Sequence, residues 1–203
     1  MYIVIEGQDG TGKSTQAELF ADYLRAKGQK VVVFHEPDGE LASAHALRDI
    51  IKDKTYDLVP LTHVLLFTAA RLELWKKLAE PVLREGGTVI SARNWWSTLA
   101  YQGYGQGVSK SKIIRLTKSI MPADYVVPTH SAILTLDDTT RLAREHARDD
   151  NSKNDTFESK PDAFQQAVNH AYLKIAKEFN IPTLDTTESV EAIFAKLQQL
   201  FGI

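Results

Sequence analysis

The 203-residue chain contains no cysteine, which excludes disulfides and thiolate metal sites. An excess of one charge is also missing. The 24 Lys and Arg residues against 26 Asp and Glu leave a formal charge of -2, which argues against broad binding to nucleic acid or membrane surfaces. No apolar run reaches the length needed to span a bilayer. The N-terminus, MYIVIEGQDG, has no basic lead-in and no extended apolar core. It reads as a buried strand rather than a secretory signal, and the expected location is cytoplasmic. Internal repeats and low-complexity linkers are absent too. A chain of this length suits one well-buried core, so a single domain over residues 1–203 is expected.

What is present alternates. Short β-branched runs at Tyr2 to Glu6, Lys30 to His35, Thr88 to Ser91, Ala132 to Leu136 and Ile181 to Leu184 read as five strands. Most lack period-2 alternation, as strands buried on both faces of a parallel sheet do. Between them lie helical spacings: Leu19, Tyr23 and Leu24 on one face, then Leu65, Phe67, Leu72, Leu74 and Leu78 after Pro60. A last helix is expected after Thr187, with Val190, Ile193, Leu197 and Leu200 at threes and fours. The pattern predicts an α/β fold, doubly wound around a central parallel sheet of about five strands. The most polar stretch, residues 144–160, is expected to form a small mobile lid.

Gly7-x-x-x-x-Gly12-Lys13-Ser14 directly follows the first strand and opens the first helix, the context a phosphate loop needs. Its glycines allow backbone N–H groups to converge on phosphate oxygens, and the helix N-terminus adds positive charge there. Gly7, Gln8, Asp9, Gly10, Thr11, Gly12, Lys13, Ser14 and Thr15 are therefore the expected binding residues for ATP. Lys13 would reach the β- and γ-phosphates, and the Ser14 hydroxyl would ligate Mg2+. No Asn-Lys-x-Asp motif is present for reading guanine, and the chain is small for a motor. A nucleotide kinase fits better, with an Arg-bearing lid that excludes water.

EGQDGTGKST, HEPDGE, LLFTAAR, ARNWWSTLAYQG and NDTFE follow one another in an order and spacing that resemble the thymidylate kinase family, from Tyr2 to about Tyr172. The resemblance implies a P-loop NTPase fold, transfer of a phosphoryl group from ATP to thymidine monophosphate (dTMP), and a homodimer. It implies that Asp9 faces the acceptor's sugar hydroxyl and the magnesium region. Glu36 and Pro37 resemble the family's Arg-Glu-Pro turn, with His35 in place of the Arg and Asp38 in place of a Gly. Phe67 and Arg71, four apart on a helix, share a face suited to stacking and hydrogen-bonding a pyrimidine. Arg48 resembles a residue of the acceptor site. Arg93, after the third strand, resembles an arginine that grips the acceptor phosphate. Ser97, Tyr101 and Gln102 match positions lining base and sugar. Trp95 and Trp96 read as core or dimer packing.

Departures from the family pattern are specific. The family's Asp before Arg93 is replaced by Ala92, which leaves either an altered kinase or a nucleotide-binding protein without turnover; a kinase for another nucleotide is the further alternative. Gly10 stands where one branch carries a phosphate-loop Arg. The other branch uses lid arginines, for which Arg144 and Arg148 are the candidates, with Arg148 as a catalytic group. Thr156 replaces a lid Arg, and Lys153 stands nearby as a point charge.

Overall fold

The computed structural model describes residues 1–37, 41–146, 156–157 and 160–203. Five parallel strands form one sheet in the order β2-β3-β1-β4-β5. They are β1 (Tyr2–Gly7), β2 (Val31–His35), β3 (Thr88–Ala92), β4 (His130–Thr135) and β5 (Thr183–Asp185). The helices are α1 (Lys13–Ala26), α2 (Ala42–Lys52), α3 (Pro60–Leu74), α4 (Glu80–Arg84), α5 (Trp95–Thr98), α6 (Lys110–Ile120), α7 (Ala123–Val126), α8 (Asp138–His146), α9 (Asp162–Glu178) and α10 (Val190–Phe201). Two π-helical turns, Trp75–Ala79 and Leu99–Gly105, extend α3 and α5.

β1 and β3 are buried along their whole length, as strands covered on both faces must be. Side chains alternate between two cores. Tyr2, Val4 and Val89 pack with Trp75, Trp95, Trp96 and Tyr172 on one face. Ile3, Ile5, Ile90 and Ala92 pack with Phe20, Leu24, Ile193 and Leu197 on the other. Each fully buried Val or Ile contributes about 1.5–3 kcal/mol over an exposed one, so the central strand is held from both sides.

Some boundaries and faces differ from the sequence reading. β5 starts at Thr183 because Pro182, with no N–H, can only lend its carbonyl, which accepts from Ile133. In α1 the buried face is Ala17, Phe20, Ala21 and Leu24, while Leu19 and Tyr23 are half-buried at its flank. In α3, Leu65 faces outward, and in α10 Phe201 takes the inward position expected of Leu200. Trp95 and Trp96 lie in the core, Trp95 edge-on to Phe179. Among the described residues no helix is long and apolar enough to cross a membrane.

Strand register brings three loops together. Ile5 pairs with Ala92, and Ala92 with His35. The loops after β1, β3 and β2 therefore leave the carboxyl edge of the sheet side by side, where open α/β sheets bind ligands.

Candidate active site

The loop after β1 is shaped by glycine. Gly10 and Gly12 lie at φ 84° and 85°, in the left-handed region. A Cβ on Gly10 would meet Arg141 Cγ at 3.0 Å, and one on Gly7 would meet the Leu134 carbonyl oxygen at 2.5 Å. Lys13 opens α1 almost fully buried, its Nζ donating to the Gln8 carbonyl at 3.1 Å and to Asp9 Oδ1 at 3.2 Å. Ser14 and Thr15, the next two helical residues, are exposed at the loop's mouth.

Arg93 follows β3 with φ 83°, an uncommon conformation for a residue with a side chain. Two contacts hold it: its N–H donates to the Ile5 carbonyl (3.0 Å), and its carbonyl accepts from Ser91 Oγ (2.7 Å). The guanidinium then donates to Asp9 Oδ1 (2.5 Å), the Gly7 carbonyl (3.1 Å), Ser97 Oγ (3.1 Å) and Tyr172 OH (3.0 Å). Tyr101 OH donates to Asp9 Oδ2 at 3.1 Å. Asp9 thus bridges Lys13 and Arg93. Burial alone would raise its pKa, but Arg93 and then Lys13 outweigh that and hold the carboxyl far below the usual range. Lys13 is lowered to about 8, first by burial and then by Arg93, against the pull of Asp9.

Glu6, at the end of β1, organises the other side. Its Oε1 accepts from the Asn94 and Ser97 N–H groups (2.7 and 3.0 Å), and its Oε2 from Ser97 Oγ (2.8 Å) and Tyr172 OH (3.2 Å). This carboxylate caps the start of α5, one turn from Arg93.

A cleft opens from this cluster toward α2 and α3. Glu36 and Arg71 form a buried pair at 2.7 Å; Arg71 also donates to Thr98 Oγ1 (2.7 Å), and Tyr125 OH donates to Glu36 (2.8 Å). Burial pushes the Glu36 carboxyl up to about 7 against the pull of Arg71. The Arg71 guanidinium lies 5.3 Å from the Phe67 ring centre. Gln102 is buried, and its amide nitrogen has no hydrogen-bond partner in the structure. Asp9, Lys13, Ser14, Glu36, Pro37, Arg48, Phe67, Arg71, Arg93, Ser97, Tyr101 and Gln102 all line this one cleft. Ala92 lines it too, and the His35 ring is turned to Glu18 at 3.2 Å.

A second cleft lies across the phosphate loop, lined by Gly10, Gly12, Thr15, Arg144, Thr186 and Val190. Arg144 donates to the Thr186 carbonyl at 2.8 Å, and Gln16 Nε2 to the Val190 carbonyl at 2.9 Å. Asp38, Arg148 and Lys153 fall outside the described residues. Of the expected phosphate-loop residues, Gln8 points its side chain away, to Gln165 on α9. The sequence reading missed Glu6, Tyr172, Thr98, Tyr125 and Phe157. Only Glu6 carried a local signal, a carboxylate ending an otherwise apolar buried strand.

The donor set suits a nucleoside triphosphate with magnesium. Gly10 and Gly12 hold the loop at positive φ, where its N–H groups can turn to phosphate oxygens, and the exposed Ser14 hydroxyl is a hard oxygen donor. Both Asp9 oxygens are engaged by Lys13, Arg93 and Tyr101. No group of three or more acidic, His or Cys ligands occurs among the described residues.

The family model for Thymidylate kinase matches residues 5–197. A thymidylate kinase from Thermosipho africanus is 31% identical over 98% of this chain and 96% of its own length. One from Kosmotoga olearia is 34% identical over 99% and 95%. The crystal structure of thymidylate kinase from Ehrlichia chaffeensis superposes with a TM-score of 0.76 at 27% identity, covering 100% of this chain and 98% of the other. The likeness therefore takes in both clefts and the whole sheet, not the phosphate loop alone, and the chain belongs to the thymidylate kinase family.

Proposed function

We propose that residues 1–203 form a single kinase domain that transfers the γ-phosphoryl group of ATP to the 5′-phosphate of dTMP, giving ADP and the diphosphate. One observation carries the reading. A single carboxylate, Asp9, contacts the cation of the phosphate loop and the cation after β3 at once. Lys13 and Arg93 thus converge on one oxygen, and a transfer between two phosphates needs two cations brought together in this way.

The steps follow from charge. In the free site Asp9 bridges both cations and offsets part of their charge. The donor's phosphates take Lys13 and the loop N–H groups, the acceptor's phosphate takes Arg93, and Asp9 is released toward the acceptor's sugar hydroxyl. Magnesium, when bound through Ser14 with Asp9 nearby, supplies charge neutralisation across the donor phosphates. Phe67 offers a stacking face for the pyrimidine, and the unpartnered Gln102 amide offers a donor to a thymine carbonyl. Glu36, Pro37, Arg48, Arg71, Ser97 and Tyr101 form the walls. The second cleft, with Arg144 on its wall, holds the adenine; Arg148 is assigned to the donor site by the family resemblance alone. The working protein is read as a cytoplasmic homodimer.

Ala92 supports a slow enzyme. The cleft wall at Ala92 lacks a carboxylate where the family resemblance expects one, and a missing electrostatic group of this kind costs about 3 kcal/mol, or about a hundredfold in rate. Turnover is tested with a panel of nucleoside monophosphates and ATP, for this chain and for Ala92→Asp. The expected result is preferential turnover of dTMP, rising about a hundredfold in the variant. Equal turnover of uridine, cytidine and guanosine monophosphates would remove the thymidine assignment. The same gap favours a second reading, a nucleotide-binding protein without turnover. Tight binding of ATP and dTMP with no transfer by either version would establish it.

A further inference from the structure

The phosphate loop and the pyrimidine end of the first cleft are joined by side-chain hydrogen bonds whose direction is fixed. Gln8 is 1% exposed and directs its amide nitrogen to the Gln165 backbone carbonyl at 3.0 Å. A carbonyl only accepts, so the Gln8 amide cannot be reversed. The same nitrogen donates to Gln165 Oε1 at 3.1 Å, which turns the Gln165 nitrogen to the Phe157 carbonyl at 2.8 Å. A backbone carbonyl therefore fixes each end of the relay. The Phe157 ring, 8% exposed, lines the cleft and packs on Phe67 (5.9 Å between ring centres), Tyr101 (6.0 Å) and His63 (5.2 Å). At the other end, the Gln8 carbonyl accepts from Lys13 Nζ.

We infer that Gln165 is a positioning residue, transmitting occupancy of the phosphate loop to the Phe157 wall so that the donor nucleotide tightens binding of the pyrimidine acceptor. The inference rests on the dTMP kinase reading above and deepens it. A triphosphate draws Lys13 off the Gln8 carbonyl; Gln8 moves with its loop and carries Gln165 with it. The displacement arrives at a ring packed directly on Phe67. Communication needs no other element, because each link is a direct contact.

The test is calorimetric titration of the full chain with dTMP, with and without a saturating non-hydrolysable ATP analogue and magnesium. In the unmodified protein the analogue should tighten dTMP by about fivefold or more. Gln165→Glu keeps the acceptor for Gln8 but replaces the donor to Phe157 by an oxygen; Gln165→Leu removes both side-chain links. Each should bring the ratio to about one while dTMP alone still binds. A loss of packing alone would weaken dTMP equally with and without the analogue, leaving the ratio unchanged, and that result overturns the inference. Should Gln165→Leu not fold, Gln165→Glu decides, since it retains volume and half the relay. A ratio of one in the unmodified protein, with both ligands bound, overturns the relay and leaves the kinase reading standing. Failure of that protein to bind dTMP at all overturns both.

Discussion

Lys13 sits where two requirements conflict. Its ammonium must be buried to meet phosphate in a dry site, yet burial and the nearby Arg93 both disfavour its charge. Asp9 at 3.2 Å offsets part of that, and the pKa settles at about 8 rather than the ordinary 10.5. Triphosphate binding brings negative charge to Lys13 and restores the proton. Donor binding should then take up close to one proton at pH 9 and almost none at pH 7, with affinity falling as pH rises above about 8. Titration of an ATP analogue in two buffers of different ionisation heat measures this directly. Identical heats in both buffers at pH 9 would show that Lys13 is already fully charged in the free protein. The stability sign is opposite. A lysine depressed on folding binds fewer protons in the folded chain than in the unfolded one, so the free protein should gain stability between about pH 8 and 10.5.

At the scale of elements, Glu6 shows how a strand, a helix start and a distant helix become one unit. α5 is only four residues long and cannot hold itself by propensity. The N–H groups of Asn94, its cap, and of Ser97 donate to Glu6 Oε1, and Tyr172 on α9 donates to the other carboxylate oxygen. Glu6→Gln places an amide NH2 among groups that only donate or are already committed. It should cost about 2–3 kcal/mol by urea unfolding, and should weaken dTMP more than ATP because Arg93 loses its frame. Equal losses for both ligands would argue that Glu6 merely stabilises the sheet. None of this was legible in the sequence beyond an odd carboxylate in an apolar strand. The phosphate loop was legible because every determinant lies within eight consecutive residues and is set by backbone angles. Phe67 with Arg71 was legible because i and i+4 meet on any helix. Tyr172, Tyr125 and Gln165 were not, since their roles depend on which strands pair and in what register. The two faces of α3 and α10 were misjudged for a related reason: spacing finds a stripe, while packing decides its centre.

On the whole molecule, α2 and α3 carry acceptor-cleft residues inward and leave apolar side chains outside. Leu61 and Leu65, four apart on α3, are 37% and 48% exposed, with Ile50 on α2 at 38% and Val59 just before α3 at 63%. Leu61 and Leu65 must share a face. In the proposed homodimer a second copy of the chain would cover this face, and the near-zero net charge puts little long-range repulsion in its way. Light scattering should then give twice the chain's 22.7 kDa. Leu65→Asp should return the mass to that of one chain at micromolar concentration, because an exposed carboxylate is harmless in a monomer and costly in a dry interface. The site gives the dissociation a second signature. Phe67 and Arg71 lie on the same helix as Leu65, whereas Lys13 lies on α1, across the sheet. Loss of the partner should raise the KM for dTMP several-fold and leave that for ATP nearly unchanged. A dimer that persists in Leu65→Asp would place the interface on another face, and equal changes in both constants would place its influence on the sheet rather than on α3.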